Sequence, residues 1–176
     1  MKRITLLLVA VATACMATFA QGKTLVAYFS ATGNTQRVAK MVAEATGATI
    51  YEIKPVQEYT NADLNWHNDK SRSSVEMADA AARPTITADL QDIAEYDTIY
   101  LGYPIWWNLA PRVINTFIEK YNFDGKTVIP FATSGSSSID NSANELQKSY
   151  PAIKWGKGKL LNRATIDDIK TWTKQQ

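Results

Sequence analysis

Ser30-Ala31-Thr32-Gly33-Asn34-Thr35 is a run of small polar side chains around one glycine. An apolar run, Thr24 to Phe29, precedes it, and a helix-patterned segment, Gln36 to Ala45, follows. A strand, a hydroxyl-rich turn and a helix start together make a seat for a phosphate. The first N–H groups of a helix lack intrahelical partners, and the helix dipole places about half a positive charge beside them. Ser30, Thr32 and Thr35 add hydroxyl donors, and Gly33 lets the backbone fold round an anion without a Cβ clash. The turn holds no Lys or Arg. Neutral dipoles suit one phosphate monoester better than a triphosphate, which recruits a lysine and a magnesium ion. The competing reading is an ordinary strand-to-helix turn in which Thr and Asn cap the helix.

A second signal lies downstream. Tyr103-Pro104-Ile105-Trp106-Trp107-Asn108 follows another strand pattern, Thr98 to Gly102, and so also stands where a strand runs out. Paired tryptophans usually mean core packing. Here they sit beside Pro104 and Asn108 in a turn, without helical spacing, which favours a pocket for Trp106 and leaves Trp107 open.

The elements that must position these loops alternate. Leu25 to Phe29 is a short apolar run, expected of a strand covered on both faces. Val38, Met41, Val42 and Ala45 recur at helical spacing, with Gly47 as a stop. Thr49 to Ile53, Thr98 to Gly102 and Thr127 to Ala132 read as further strands, and Lys159 to Asn162 as a weak fifth. Pro111 suits a helix start, and Val113, Ile114, Phe117, Ile118 and Tyr121 form that helix's apolar stripe. Ile139, Ala143, Leu146 and Tyr150 suggest a helix closed by Pro151. Thr165 and Asp168 match a capping box before a last helix carrying Ile169 and Trp172. Such alternation implies a parallel sheet with helices on both sides, which binds ligands beyond the carboxyl ends of its strands. Pro130 interrupts the fourth strand pattern, where a bulge or an early strand end is expected. Pro55 to Ala94 is long for a crossover. It reads mainly as a surface excursion with a short helix over Ser74 to Ala82, and it offers Trp66, His67 and Arg72 as pocket-rim candidates.

Residues 1–20 read as a secretory leader. Lys2 and Arg3 begin it, Ile4 to Ala14 is an apolar run too short for a membrane span, and Thr18-Phe19-Ala20 resembles a cleavage site. The domain is then 21–176, exported to the periplasm or beyond, with no membrane span. Ala12-Thr13-Ala14-Cys15 faintly matches a lipid-attachment box, a weaker alternative that would anchor the chain at Cys15. Cys15 is the single cysteine and His67 the single histidine. Cleavage after Ala20 leaves no thiol for disulfides, catalysis or metal, and a histidine metal cluster is excluded. The 19 basic residues include Lys2 and Arg3, so their loss balances the 17 acidic ones. That balance argues against nucleic acid as a partner.

With these residues assembled, the chain resembles the flavodoxin family over about Lys23 to Lys174. The match rests on Ser30 to Thr35 after the first strand, on Gly102 to Trp107 after the third, and on Thr133-Ser134-Gly135-Ser136 after the fourth. The resemblance implies a flavodoxin-like α/β fold: a doubly wound five-stranded parallel sheet of order 2-1-3-4-5 in an α/β/α sandwich, with non-covalent FMN. It would place Ser30, Thr32, Gly33, Asn34, Thr35 and the Gln36 N–H on the phosphate. Trp106 would lie against the isoalloxazine, within the loop Pro104, Ile105, Trp106, Trp107 and Asn108. Thr133, Ser134, Gly135 and Ser136 would border the ring's other side and polar edge. The chemistry agrees: a flat ring with one polar edge and a phosphorylated tail wants an aromatic face, edge donors and an anion socket.

Two departures stand out. Trp107 occupies a position where the family commonly has glycine, which makes a positive φ costlier and predicts weaker stabilisation of one-electron-reduced flavin. Ser134, Ser136 and Ser137 are small where many flavodoxins cover the flavin with an aromatic, so that face is open to a substrate ring unless the excursion covers it. The leading expectation is a carrier that passes electrons through FMN to a partner protein or small acceptor. One alternative is an FMN-dependent NAD(P)H or quinone oxidoreductase, and another is a non-redox module for a different phosphorylated ligand. Hydrolysis by His67 with a serine lacks a Gly-x-Ser-x-Gly elbow.

Overall fold

The computed structural model describes residues 22–176, so the leader and Cys15 fall outside the described residues. Lys23–Tyr28 forms β1, and its side chains alternate between two apolar faces. Leu25, Ala27 and Phe29 enter one core, while Val26 and Tyr28 enter the other. Asn34–Thr46 is α1, ended by Gly47 at φ 65°, a left-handed stop that only glycine adopts without strain. β2 is Thr49–Glu52, β3 Tyr96–Pro104 and β4 Thr127–Thr133. Every pairing among them is parallel, in the order β2-β1-β3-β4.

Helices α3 (Arg112–Lys120) and α4 (Asp140–Ser149) bury Val113, Ile114, Phe117, Ala143 and Leu146 in the first core. On the other face, α1 and α5 (Ile166–Thr173) bury Val38, Ala39, Val42, Ile169 and Trp172. The result is the three-layer α/β/α sandwich. The capping box opening α5 is present, with Thr165 accepting from Asp168 N–H and Asp168 accepting in return.

The fifth position of the sheet is split. β5 (Lys154–Trp155) and β6 (Lys159–Leu160) both run parallel to β4 along its free edge. This corrects the expectation at Pro130. β4 runs through the proline, paired to β3 without a register shift, and it is the edge strand that breaks. Pairing stops after Val128↔Trp155 and resumes at Phe131↔Lys159, so the gap falls opposite Ile129 and Pro130. A proline cannot donate to a ladder, and the bulged neighbour crosses it closely: a Cβ on Gly158 would lie 3.1 Å from Pro130 Cγ.

The excursion after β2 is tied at its base by the antiparallel bridge Pro55↔Ile86, with Val56 N–H on Thr85 C=O at 2.9 Å and Thr87 N–H on Lys54 C=O at 2.8 Å. Its helix α2 is Arg72–Ala78, starting earlier than the pattern suggested because Ser71 caps it by accepting from Ser74 N–H. Among the described residues no helix is long and apolar enough to cross a membrane, and no cluster of His, Cys, Asp and Glu is placed to hold a metal.

Candidate functional site

Parallel pairing brings the carboxyl ends of β1, β3 and β4 together, and the loops leaving them meet. The first loop opens α1 at Gly33, whose φ of 81° is the left-handed conformation. No side chain caps this helix. Its first backbone bond runs from Arg37 N–H to Gly33 C=O at 3.0 Å, so the N–H groups of Asn34, Thr35 and Gln36 precede the ladder. Thr and Asn therefore do not cap, contrary to the ordinary-turn reading. Asn34 Nδ2 instead donates to Thr32 Oγ1 at 3.2 Å, and Gln36 Nε2 donates to the Tyr28 hydroxyl at 3.1 Å. Thr35 is buried, its hydroxyl 2.8 Å from that of Thr133, which joins the first loop to the end of β4. Ser30 Oγ is buried with no hydrogen-bond partner. A buried hydroxyl without a partner costs about 1–3 kcal/mol, so Ser30 Oγ is a donor for a bound water or ligand atom to satisfy.

The second loop is pinned at its base, where Ile105 N–H donates to Thr133 C=O at 2.8 Å. Trp106 and Leu109 then exchange backbone bonds of 2.9 Å around Trp107 and Asn108. Both central residues have positive φ, 46° and 63°, the signature of a type I′ turn. Asparagine tolerates this conformation and tryptophan does not, so Trp107 adopts the costly geometry that its side chain opposes. Asn141 Nδ2 on Asn108 C=O at 2.9 Å helps to hold it. Trp106 stands edge-on to Phe29 (5.6 Å, 86°) and to Tyr59 (5.2 Å, 80°).

The third loop is held by Asn162, at the end of the edge strand. Its side chain accepts from Ser134 N–H at 2.7 Å and donates to Ser134 C=O. Ser134 Oγ accepts from Ser136 N–H (3.2 Å) and Ser137 N–H (2.9 Å). Arg37 Nη2 donates to Asn162 C=O at 2.9 Å, linking α1 to the same corner.

Two adjoining cavities fill the space between these loops. One, of about 530 Å³, is bordered by Ser30, Ala31 and Thr32, by Pro104 to Asn108, and by Ser134 to Ser137, with Leu64, Trp66 and Ser73 from the excursion. The other, of about 430 Å³, is bordered by Thr32, Asn34, Pro104 to Trp106, and Thr133 to Gly135, with Arg37, Asn162 and Arg163. All three loops read from the sequence thus meet. Of the excursion candidates, Trp66 borders the cavity, whereas His67 lies against Trp66, its ring centroid 3.5 Å away and tilted by 33°, outside the lining.

Arg72 works behind the wall. It lies 4.0 Å over the Tyr59 ring, pairs with Glu76 at 2.7 Å and donates to Gln57 C=O at 2.7 Å. Tyr59 donates to Glu76. Burial first, and then the Glu76 carboxylate, push its phenol pKa far up.

Asn162, Arg37, Arg163, Leu64 and Ser73 were missed by the sequence reading. Asn162 ends the fifth strand pattern, and a polar residue at a strand end was the available signal. Arg37 lies two residues beyond the motif, whereas nothing local marks Leu64 or Ser73.

A cleft with an anion seat at an uncapped helix start, a partnerless hydroxyl beside it, and a tryptophan-lined chamber next door defines a doubly wound α/β protein for a flat ring with a phosphorylated tail. FMN, the family's cofactor, fits those residues. The flavodoxin family model matches residues 23–176, and the chain belongs to that family. A solved structure of a protein assigned as a flavoprotein in Bacteroides uniformis is 65% identical, with 87% of this chain and 98% of that one covered and a TM-score of 0.85. A counterpart from Bacteroides eggerthii is 55% identical, with 87% and 96% covered and the same TM-score of 0.85. A Lactobacillus acidophilus flavoprotein solved in complex with FMN is 20% identical, with 86% and 99% covered and a TM-score of 0.69, and it shares the fold. No curated protein matches the chain.

Proposed function

We propose that this chain is an FMN-binding redox protein that transfers electrons through a non-covalently held flavin. The observation that carries the reading is Ser30 Oγ, buried and unpartnered beside the uncapped start of α1. Ser30 and the N–H groups of Asn34 to Gln36, which precede the helix ladder, would hold the phosphate by donating to it. Arg37 and Arg163 border the same half of the cleft and favour an anion. Trp106, braced by Phe29 and Tyr59, offers its ring to the flat part of the ligand. Bound FMN supplies reversible electron uptake and release, while the protein binds, orients and shields. The FMN complex of the Lactobacillus acidophilus protein, which shares the fold, supports the choice of cofactor.

Electrons leave to a partner protein or to a small acceptor. Trp66 and Trp107 at the edge of an uncharged chamber favour the small acceptor, which makes an FMN-dependent oxidoreductase the second reading. The basic, apolar and small-residue pattern of residues 1–20 supports export. The test is an FMN titration of apo-protein, followed by anaerobic reduction with and without NAD(P)H. The expected result is a yellow complex that reduces and reoxidises reversibly. A protein that stays colourless with excess FMN and binds a different phosphorylated ligand would overturn the reading.

A further inference from the structure

The sheet's split edge ends in a side chain that continues the ladder. β6 stops at Leu160, yet Leu161 N–H still donates to Ala132 C=O at 2.9 Å, and the Leu161 side chain is buried in the core under α1 and α5. Continuing the parallel register from Ala132↔Leu160 brings Asn162 opposite Ser134. There the Asn162 amide takes the backbone's place. Its Oδ1 accepts from Ser134 N–H at 2.7 Å, and its Nδ2 donates to Ser134 C=O. Only this orientation of the amide satisfies both groups. Asn162 is itself fixed from the α1 side, where Arg37 Nη2 donates to its C=O at 2.9 Å.

The clamp decides which N–H groups of the third loop remain open. That of Ser134 goes to Asn162, and those of Ser136 and Ser137 go to Ser134 Oγ. Of the four from Ser134 to Ser137, only the Gly135 N–H has no acceptor among the described residues. Gly135 borders both cavities of the cleft, and a Cβ there would meet nothing within 4 Å. A backbone donor without an acceptor on a cavity wall is open to a ligand.

We propose that Asn162 is a positioning residue for the cofactor: by clamping Ser134 it leaves the Gly135 N–H as the third loop's backbone donor to the polar edge of the FMN ring. The proposal rests on the FMN reading above and names a residue outside the three loops that sets the ring's hydrogen bonding. The polar edge gains negative charge on reduction, and a hydrogen bond to a charged acceptor is stronger than one to a neutral acceptor. The clamp therefore favours reduced over oxidised FMN.

The experiment uses the full protein. Apo-protein is titrated with oxidised FMN, with riboflavin and, anaerobically, with FMN reduced by dithionite. Asn162→Ala is expected to weaken oxidised FMN and riboflavin alike, about fivefold, and reduced FMN about fiftyfold. Gly135→Pro deletes the N–H and is expected to do the same, whereas Gly135→Ala keeps it and stays within about twofold of the parent. Circular dichroism confirms that the variants fold. In the parent, the Gly135 amide resonance should move downfield on FMN binding, and Asn162→Ala should abolish that shift, a readout that does not depend on the proline variant. Equal losses for oxidised and reduced FMN in Asn162→Ala would make the clamp a prop of the fold alone and overturn the proposal. A loss confined to FMN, sparing riboflavin, would place Asn162 on the phosphate and also overturn it. A Gly135 resonance that FMN leaves unmoved would sink this proposal alone, whereas a parent protein that takes up no FMN would sink the cofactor reading with it.

Discussion

The phosphate turn and the wall formed by residues 55–94 enclose one cleft by opposite means. The turn is local: Ser30 to Thr35, one left-handed torsion at Gly33 and the start of α1 define it. The wall is assembled across distance. Leu64, Trp66 and Ser73 border the chamber, Tyr59, Arg72 and Glu76 bond to one another outside its lining, and the Pro55↔Ile86 bridge closes the base. The difference teaches where function and stability separate. A seat made of backbone N–H groups loses its ligand when its charge changes and keeps its fold. A wall made of side-chain contacts loses stability first.

The largest expected effect tests the turn. Asn34→Asp puts a carboxylate in the first turn of α1, where it suits the helix dipole but repels a phosphate. FMN affinity should fall roughly a hundredfold, ~2.7 kcal/mol, while riboflavin affinity and the denaturation midpoint hold. A parallel loss of riboflavin binding would erase the distinction between the two regions.

The wall is tested by Arg72→Met. Glu76 and Arg72 are mostly buried, with 14% and 18% of their side chains exposed. Removing the cation strands a carboxylate, at a cost of about 2 kcal/mol in urea denaturation of the apo-protein. FMN affinity should move by less than about fivefold. A variant with unchanged stability and lost FMN binding would make Arg72 part of the seat instead.

The second loop stands between these cases, a local turn with a distant tie at Asn141. Trp107→Gly removes the penalty of a non-glycine residue at φ 46° and should raise apo-protein stability by about 1 kcal/mol. No gain would mean that packing of the indole offsets its strained backbone.

The smallest effect is the alkaline behaviour of Tyr59. An unfolded phenol titrates near its ordinary value of 10.0, and Tyr59 in the fold keeps its proton above that. The folded chain therefore binds more protons than the unfolded one as pH rises past about 10. This contribution to stability is full below that pH and is lost above it. Tyr59→Phe should flatten the fall in urea midpoint between about pH 9 and pH 11, and an unchanged slope would put the cause elsewhere.

What could be read from the sequence follows the same division. The strand-helix alternation, the Gly47 stop, the Thr165/Asp168 capping box and the three strand-end loops are all encoded by neighbours in sequence, and each is present in the fold. The split edge strand was not legible, because it depends on Pro130 in one strand meeting Gly158 in another. Nor was the Asn162 clamp on Ser134, which spans two strand ends. Trp107 shows the limit of propensity: the sequence argues against a positive φ there, and the turn imposes one. In the excursion, Trp66, His67 and Arg72 stood as equal candidates, and only three-dimensional contacts separate the chamber residue Trp66 from His67 beside it and from Arg72, which is tied to Tyr59 and Glu76.

The central claim is that the start of α1 holds the phosphate of FMN. Its most direct test is to titrate apo-protein with FMN and with riboflavin under the same conditions, following the quenching of flavin fluorescence. The two ligands share the ring and differ in the phosphate. Several charge-assisted hydrogen bonds to that group predict FMN binding at least about a hundredfold tighter. Equal affinities would contradict the account, because the ring alone would then carry the binding.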